Sequence, residues 1–152
     1  MTPMRRYNDD IARQLVQFDR SQKIVAEAFD ALYKRLVHDD SNQNRLVSSL
    51  KKWVGANSTL RGIYLWGGVG RGKTYLMDLF YECLPFPDKQ RIHFHRFMLS
   101  IHEELERLQG VRNPLDRIAG GIADKTKVLC IDEFFVLDIG DAMLLSGLLE
   151  GL

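Results

Sequence analysis

The chain has 152 residues, 45% of them apolar and 27% charged, which is enough for one globular domain with a sizeable core. Its 21 lysines and arginines stand against 20 aspartates and glutamates, and the net charge of +1 argues against a protein built to hold nucleic acid or an anionic membrane. Only Cys83 and Cys130 could form a disulfide, and both fall in segments that read as core, so a reducing cytosol is expected.

Residues 1–10 carry charges with no apolar stretch behind them, and no run approaches the roughly 18 apolar residues of a membrane helix, so neither export nor a span is expected. A long amphipathic helix is predicted over 19–37. Ile24, Ala28, Leu32 and Leu36 lie on one line of it, Val25 and Phe29 lie beside them, and Asp19 or Ser21 serves as cap. A polar turn at 38–44 leads to a second helix at 45–54, whose Lys51 and Lys52 read as a solvated face, and then to a loop at 55–58. Residues 1–58 are thus expected to form an N-terminal helical segment, and residues 59–152 the core of the molecule.

Residues 60–66 read as a strand, 75–84 as a helix with Leu76, Leu79, Phe80 and Cys83 on one face. Between them lie Gly67, Gly68, Val69, Gly70, Arg71, Gly72, Lys73 and Thr74, which fit G-x-x-x-x-G-K-[ST] residue for residue. Glycines let the backbone curl so that successive N–H groups face phosphate oxygens. Lys73 then supplies a positive charge to the β- and γ-phosphates, and the Thr74 hydroxyl is a ligand for Mg²⁺. This is a nucleotide-binding loop in the right context. A sharper reading brings the segment around Gln22 to the base; the plainer one only packs that helix on the nucleotide domain.

After a break at 85–88 a second strand is predicted at 91–94, with His93 and His95 on one strand face; two histidines alone do not make a zinc site. A helix follows over 97–108, with Phe97, Ile101, Leu105 and Leu108 inward, and a short one over 115–123. Residues 128–131 form a continuous apolar run, the pattern of a strand buried on both faces of a parallel sheet. It ends in Asp132 and Glu133. Carboxylates at such a strand end emerge where open α/β sheets bind ligands. Asp132 is expected to hold the Mg²⁺ shell through water, and Glu133 to polarise the water that attacks the γ-phosphate. A last helix is predicted over 139–149.

The Asp-Glu pair is similar to that of P-loop NTPases in which a further strand lies between the loop strand and the acid strand, a class that includes the AAA+ ATPases. Three blocks, at 67–81, 93–98 and 132–143, resemble those of the ZapE-type cell-division ATPases and their mitochondrial relatives. The resemblance implies an α/β fold of AAA+ type, a three-layer parallel sheet that is incomplete at its C-terminal end because the inserted strand, sensor, arginine finger and lid are absent. The chain is therefore expected to be an N-terminal fragment, not active by itself. The resemblance further implies Mg²⁺-dependent ATP hydrolysis by a homo-oligomer. Its partner would be the division protein FtsZ at the cytoplasmic side of the inner membrane, with membrane association only through partners and no nucleic acid. Two alternatives stand beside it: a nucleotide-dependent binding module without turnover, and a helicase-loader-like ATPase associated with nucleic acid.

Overall fold

The computed structural model describes residues 1–41 and 62–152. The expected helix at 45–54, the loop at 55–58 and the first two residues of the expected strand at 60–66 lie outside the described residues. The chain divides into two compact units, Met1–Pro85 and Phe86–Leu152.

The first unit opens with a helix that the sequence reading did not anticipate, α1 (Pro3–Ala12). Thr2 caps it by accepting from the Arg5 N–H, and Pro3 takes a first-turn position where no amide hydrogen is needed. Tyr7 is fully buried, and its hydroxyl donates to the Asp19 carbonyl at 3.2 Å. That ties α1 to the start of α2 (Arg20–Ser41). Asp19 is the cap of α2, accepting from the N–H groups of Ser21 at 2.7 Å and Gln22 at 3.0 Å. The bond from the Gln22 N–H is the main reason that the Asp19 carboxyl lies below its usual range. The helix continues to Ser41 and absorbs the start of the expected polar turn.

The buried face of α2 is rotated from the predicted one. Ala26, Phe29, Asp30 and Leu36 point inward, whereas Ile24 and Ala28 are exposed. Neighbours set this roll. Phe29 stacks on Phe80 with ring centroids 4.6 Å apart, and Asp30 accepts the Met4 N–H, one of the first-turn donors of α1 that lack a partner within the helix. Phe80 belongs to α3 (Lys73–Cys83), which buries Leu76, Leu79 and Phe80 as its spacing predicts, with Cys83 half-buried.

Residues 62–66 form no strand, contrary to expectation, and Tyr64 and Trp66 are exposed. A strand is made by pairing with a neighbour, not by its own side chains. Among the described residues the only ladder joins two strands of the second unit.

Those strands are β1 (Lys89–His93) and β2 (Val128–Asp132), parallel and in register from Lys89↔Val128 to His93↔Asp132. β1 passes directly into α4 (Phe94–Arg107), so His95 is helical and does not share a strand face with His93. Next come α5 (Pro114–Ala123), opened by a proline, and, after β2, α6 (Ile139–Gly151). Asp138 caps α6 by accepting from the Gly140 and Asp141 N–H groups. Phe94, Phe97, Met98 and Ile101 of α4 meet Ile118, Ala119, Leu145 and Leu148 in one core. Within β2 only Cys130 is fully buried; the expected burial on both faces is partial, because the ladder has two strands. No described helix is long and apolar enough to cross a membrane.

Candidate nucleotide site

The loop at 67–74 owes its shape to three glycines in the positive-φ region, Gly67 (141°), Gly70 (79°) and Gly72 (77°). Side chains rarely tolerate that backbone, so the glycine spacing of the motif matches where the chain must turn. Gly72 is also the N-cap of α3 and offers no side-chain bond, which leaves the first-turn N–H groups of α3 available to an anion. The Lys73 ammonium donates to the Gly67 carbonyl at 2.9 Å and the Gly68 carbonyl at 2.8 Å. The lysine thus spans the mouth of its own loop. Thr74 is exposed at the start of α3, Arg71 is exposed, and Val69 is fully so.

Two contacts support the loop from the N-terminal helices. The Tyr75 hydroxyl, one residue past Thr74, donates to the buried Asp10 at 2.7 Å, and Arg6 donates to the other oxygen of that carboxylate at 3.2 Å. Burial, then the bond to Asp10, raises the Tyr75 phenol well above its ordinary range, so it stays protonated and a donor. On the other side, the Gln22 amide donates from Nε2 to the Arg71 carbonyl at 3.3 Å. Neither Asp10 nor Tyr75 carried a motif in the sequence; the α1 cap formed by Thr2 and Pro3 was the signal that a helix would bring Asp10 here.

The acid pair stands at the end of β2 in the second unit. Arg91 of β1 donates to Asp132 Oδ2 at 3.0 Å, and the Glu133 N–H donates to Asp132 Oδ1 at 2.9 Å. Both carboxylate oxygens of Asp132 are therefore oriented. Glu133 is exposed and adopts φ 52°, one of three described non-glycine residues with positive φ. A left-handed backbone at a long acidic residue is uncommon. Sequence reasoning found the pair but neither Arg91 nor this backbone, which follows from no local pattern. A surface cavity of about 490 Å³ in the same unit, lined by Gln90, Ile92, Phe97 and Arg117 among others, includes neither acid.

The loop belongs to the first unit and the acid pair to the second. Thr74 and Asp132 both present hard oxygen atoms, the donor chemistry that Mg²⁺ takes.

The model of the family described as AFG1-like ATPase matches residues 1–152. The chain is 46% identical over 161 residues to the cell division protein ZapE of Escherichia coli K12, an alignment that covers 100% of this chain and 43% of that protein. An uncharacterized protein of Schizosaccharomyces pombe is 38% identical over 182 residues, covering 99% of this chain and 40% of its own length. Lactation elevated protein 1 homolog B of Danio rerio is 42% identical over 103 residues, 60% of this chain and 20% of that protein. The chain spans less than half the length of these curated relatives. No solved structure matches it.

Proposed function

The chain belongs to the AFG1-like ATPase family, and from that premise we propose that it binds Mg-ATP in the loop at 67–74 and supplies the carboxylates that hydrolyse it. The observation that carries this reading is the Lys73 ammonium held at the mouth of a loop whose positive-φ positions are glycines. Loop and first-turn N–H groups take the phosphate oxygens, and Lys73 turns from the Gly67 and Gly68 carbonyls to the β- and γ-phosphates. Thr74 and Asp132 would hold Mg²⁺, Asp132 through water; the bound ion neutralises charge developing on the phosphates. Glu133 draws a proton from the attacking water as the bond to the γ-phosphate forms and the bond to ADP breaks. Arg91 keeps Asp132 turned for its role.

The similarity to a cell division protein extends the proposal to that process. FtsZ is its partner and a homo-oligomer its working form, on the cytoplasmic side of the division site.

Calorimetric titration of this chain with Mg-ATP, beside Lys73→Ala, tests the loop. Saturable binding lost in the variant at an unchanged melting profile is expected, and no binding by the folded chain would sink the proposal. Turnover is measured on the full-length gene product, where Glu133→Gln should bind ATP and fail to hydrolyse it; undiminished turnover would favour a different water-activating group. Co-sedimentation with FtsZ polymers, dependent on ATP and on Lys73, tests the partner.

A further inference from the structure

We propose that Gln22 reads the base of the bound nucleotide, its Oε1 accepting from the exocyclic amino group of adenine while Nε2 stays on the Arg71 carbonyl. The inference rests on the nucleotide reading of the loop at 67–74 and adds how that site selects its purine.

Gln22 stands in the first turn of α2, its own N–H held by the Asp19 cap at 3.0 Å. Its amide lies against the loop backbone: Nε2 donates to the Arg71 carbonyl at 3.3 Å and would lie 2.7 Å from a Cβ added at Gly72. The carbonyl of Arg71 fixes which way the amide faces, because turning Oε1 toward it would set two acceptors together. That leaves Oε1 as the unbonded half of the group. It is shielded from solvent and has no hydrogen-bond partner, and it is the only buried side-chain polar atom among the described residues of which this is true. Buried acceptors almost always have donors, so one that lacks a donor beside a ligand loop points to a donor supplied by the ligand. Gln22 as a whole is half-buried, and the terminal torsion of a glutamine is broad, which leaves the amide room to adjust while Nε2 keeps its bond.

The chemistry of the occupant follows from the atom. A nucleotide anchored by its phosphates in this loop carries its base one ribose away. Adenine offers an amino group at C6, a donor that an amide oxygen accepts. Guanine and hypoxanthine carry an oxygen there, which sets lone pair against lone pair. Gln22 is thus a specificity-determining residue coupled through one amide to the backbone that precedes Lys73.

The test compares Mg-ATP with Mg-ITP, which share every phosphate and ribose contact and differ at C6 and in the hydrogen on N1, by equilibrium titration of the wild type, Gln22→Ala and Gln22→Met, each with a thermal melt. The wild type should prefer ATP by about tenfold or more. Both variants lose the support to the loop for either nucleotide, and should lower ATP affinity by a clearly larger factor than ITP affinity and bring the ratio near one. Equal affinity of the wild type for the two nucleotides would overturn the proposal, and that arm needs no variant to fold. So would a parallel loss of both in the variants, which is the mark of a strut for the loop alone. A wild-type chain that binds neither nucleotide overturns the loop reading itself, a result distinct from binding both alike.

Discussion

Two bends, one in each unit, solve the same backbone problem in different ways. In the loop at 67–74 every positive-φ position is a glycine, whereas at the end of β2 the position after Asp132 is Glu133, with φ 52°. Glycine takes up a left-handed backbone without steric cost; any other L-residue gives up about 1–2 kcal/mol. On the proposed reading, residues 67–72 act through backbone N–H groups while Lys73 and Thr74 lend side chains, so glycine serves at each positive-φ turn. The bend after β2 would act through the Glu133 carboxylate, so there the side chain stays. Backbone chemistry and side-chain chemistry leave opposite marks on the same dihedral angle.

That contrast can be broken most forcefully at the groups that carry charge. Lys73→Ala should lower turnover of the full-length product on the order of 10²-fold or more by removing a positive group from the phosphates, and Glu133→Gln on the order of 10²- to 10⁴-fold with ATP binding kept. Steady-state phosphate release with matched titrations checks both. Next in size are the glycines. Gly70→Ala meets open space, and Gly72→Ala meets only the movable end of the Gln22 side chain, so each should lose the backbone term, roughly 1–2 kcal/mol of urea stability. No loss at either position would contradict the left-handed backbone of the loop. Smaller again, and opposite in sign, Glu133→Gly should raise the stability measured by urea unfolding, by up to about 1 kcal/mol, while turnover disappears. A destabilised Glu133→Gly protein would refute strain at that bend.

The smallest effect is electrostatic and lies in the first unit. Burial pushes the Asp30 carboxyl upward, but the Lys34 ammonium at 2.7 Å, the Thr2 hydroxyl and the Met4 N–H outweigh it, so the folded group lies below its ordinary 3.8. Its contribution is present above that value and is lost as pH falls through the lower folded one. The stability gap between wild type and Asp30→Asn, under about 1 kcal/mol, should shrink between pH 7 and pH 3. A gap that widens on acidification would contradict the assigned direction.

Local chemistry was legible in the sequence, and what depended on neighbours was not. The phosphate loop, α3, α6 and the acid pair are written in short-range patterns of glycine, charge and apolar spacing. The roll of α2 is not, since Phe80 and Met4 choose its buried face and leave Ile24 and Ala28 outside. Residues 62–66 have the composition of a strand without forming one, because pairing is a property of two segments. α1 was missed although Thr2 and Pro3 signal a helix start; the charges that follow them mask its buried positions, Tyr7 and Asp10. The place of Glu133 at the end of β2 could be read from the sequence, whereas its left-handed backbone could not.

The parallel pairing of β1 with β2 also sets a timetable. Arg91 and Asp132, joined across that ladder, are 41 residues apart, whereas Tyr7 and Asp19, which clasp α1 to α2, are 12 apart. Closing the longer loop costs more chain entropy before any contact offsets it, and parallel pairing is intrinsically slow. On a nascent chain the helical clasp beside the phosphate loop can form while the acid strand is still being synthesised. The helices that support the loop at 67–74 are then in place before the strand that carries Asp132.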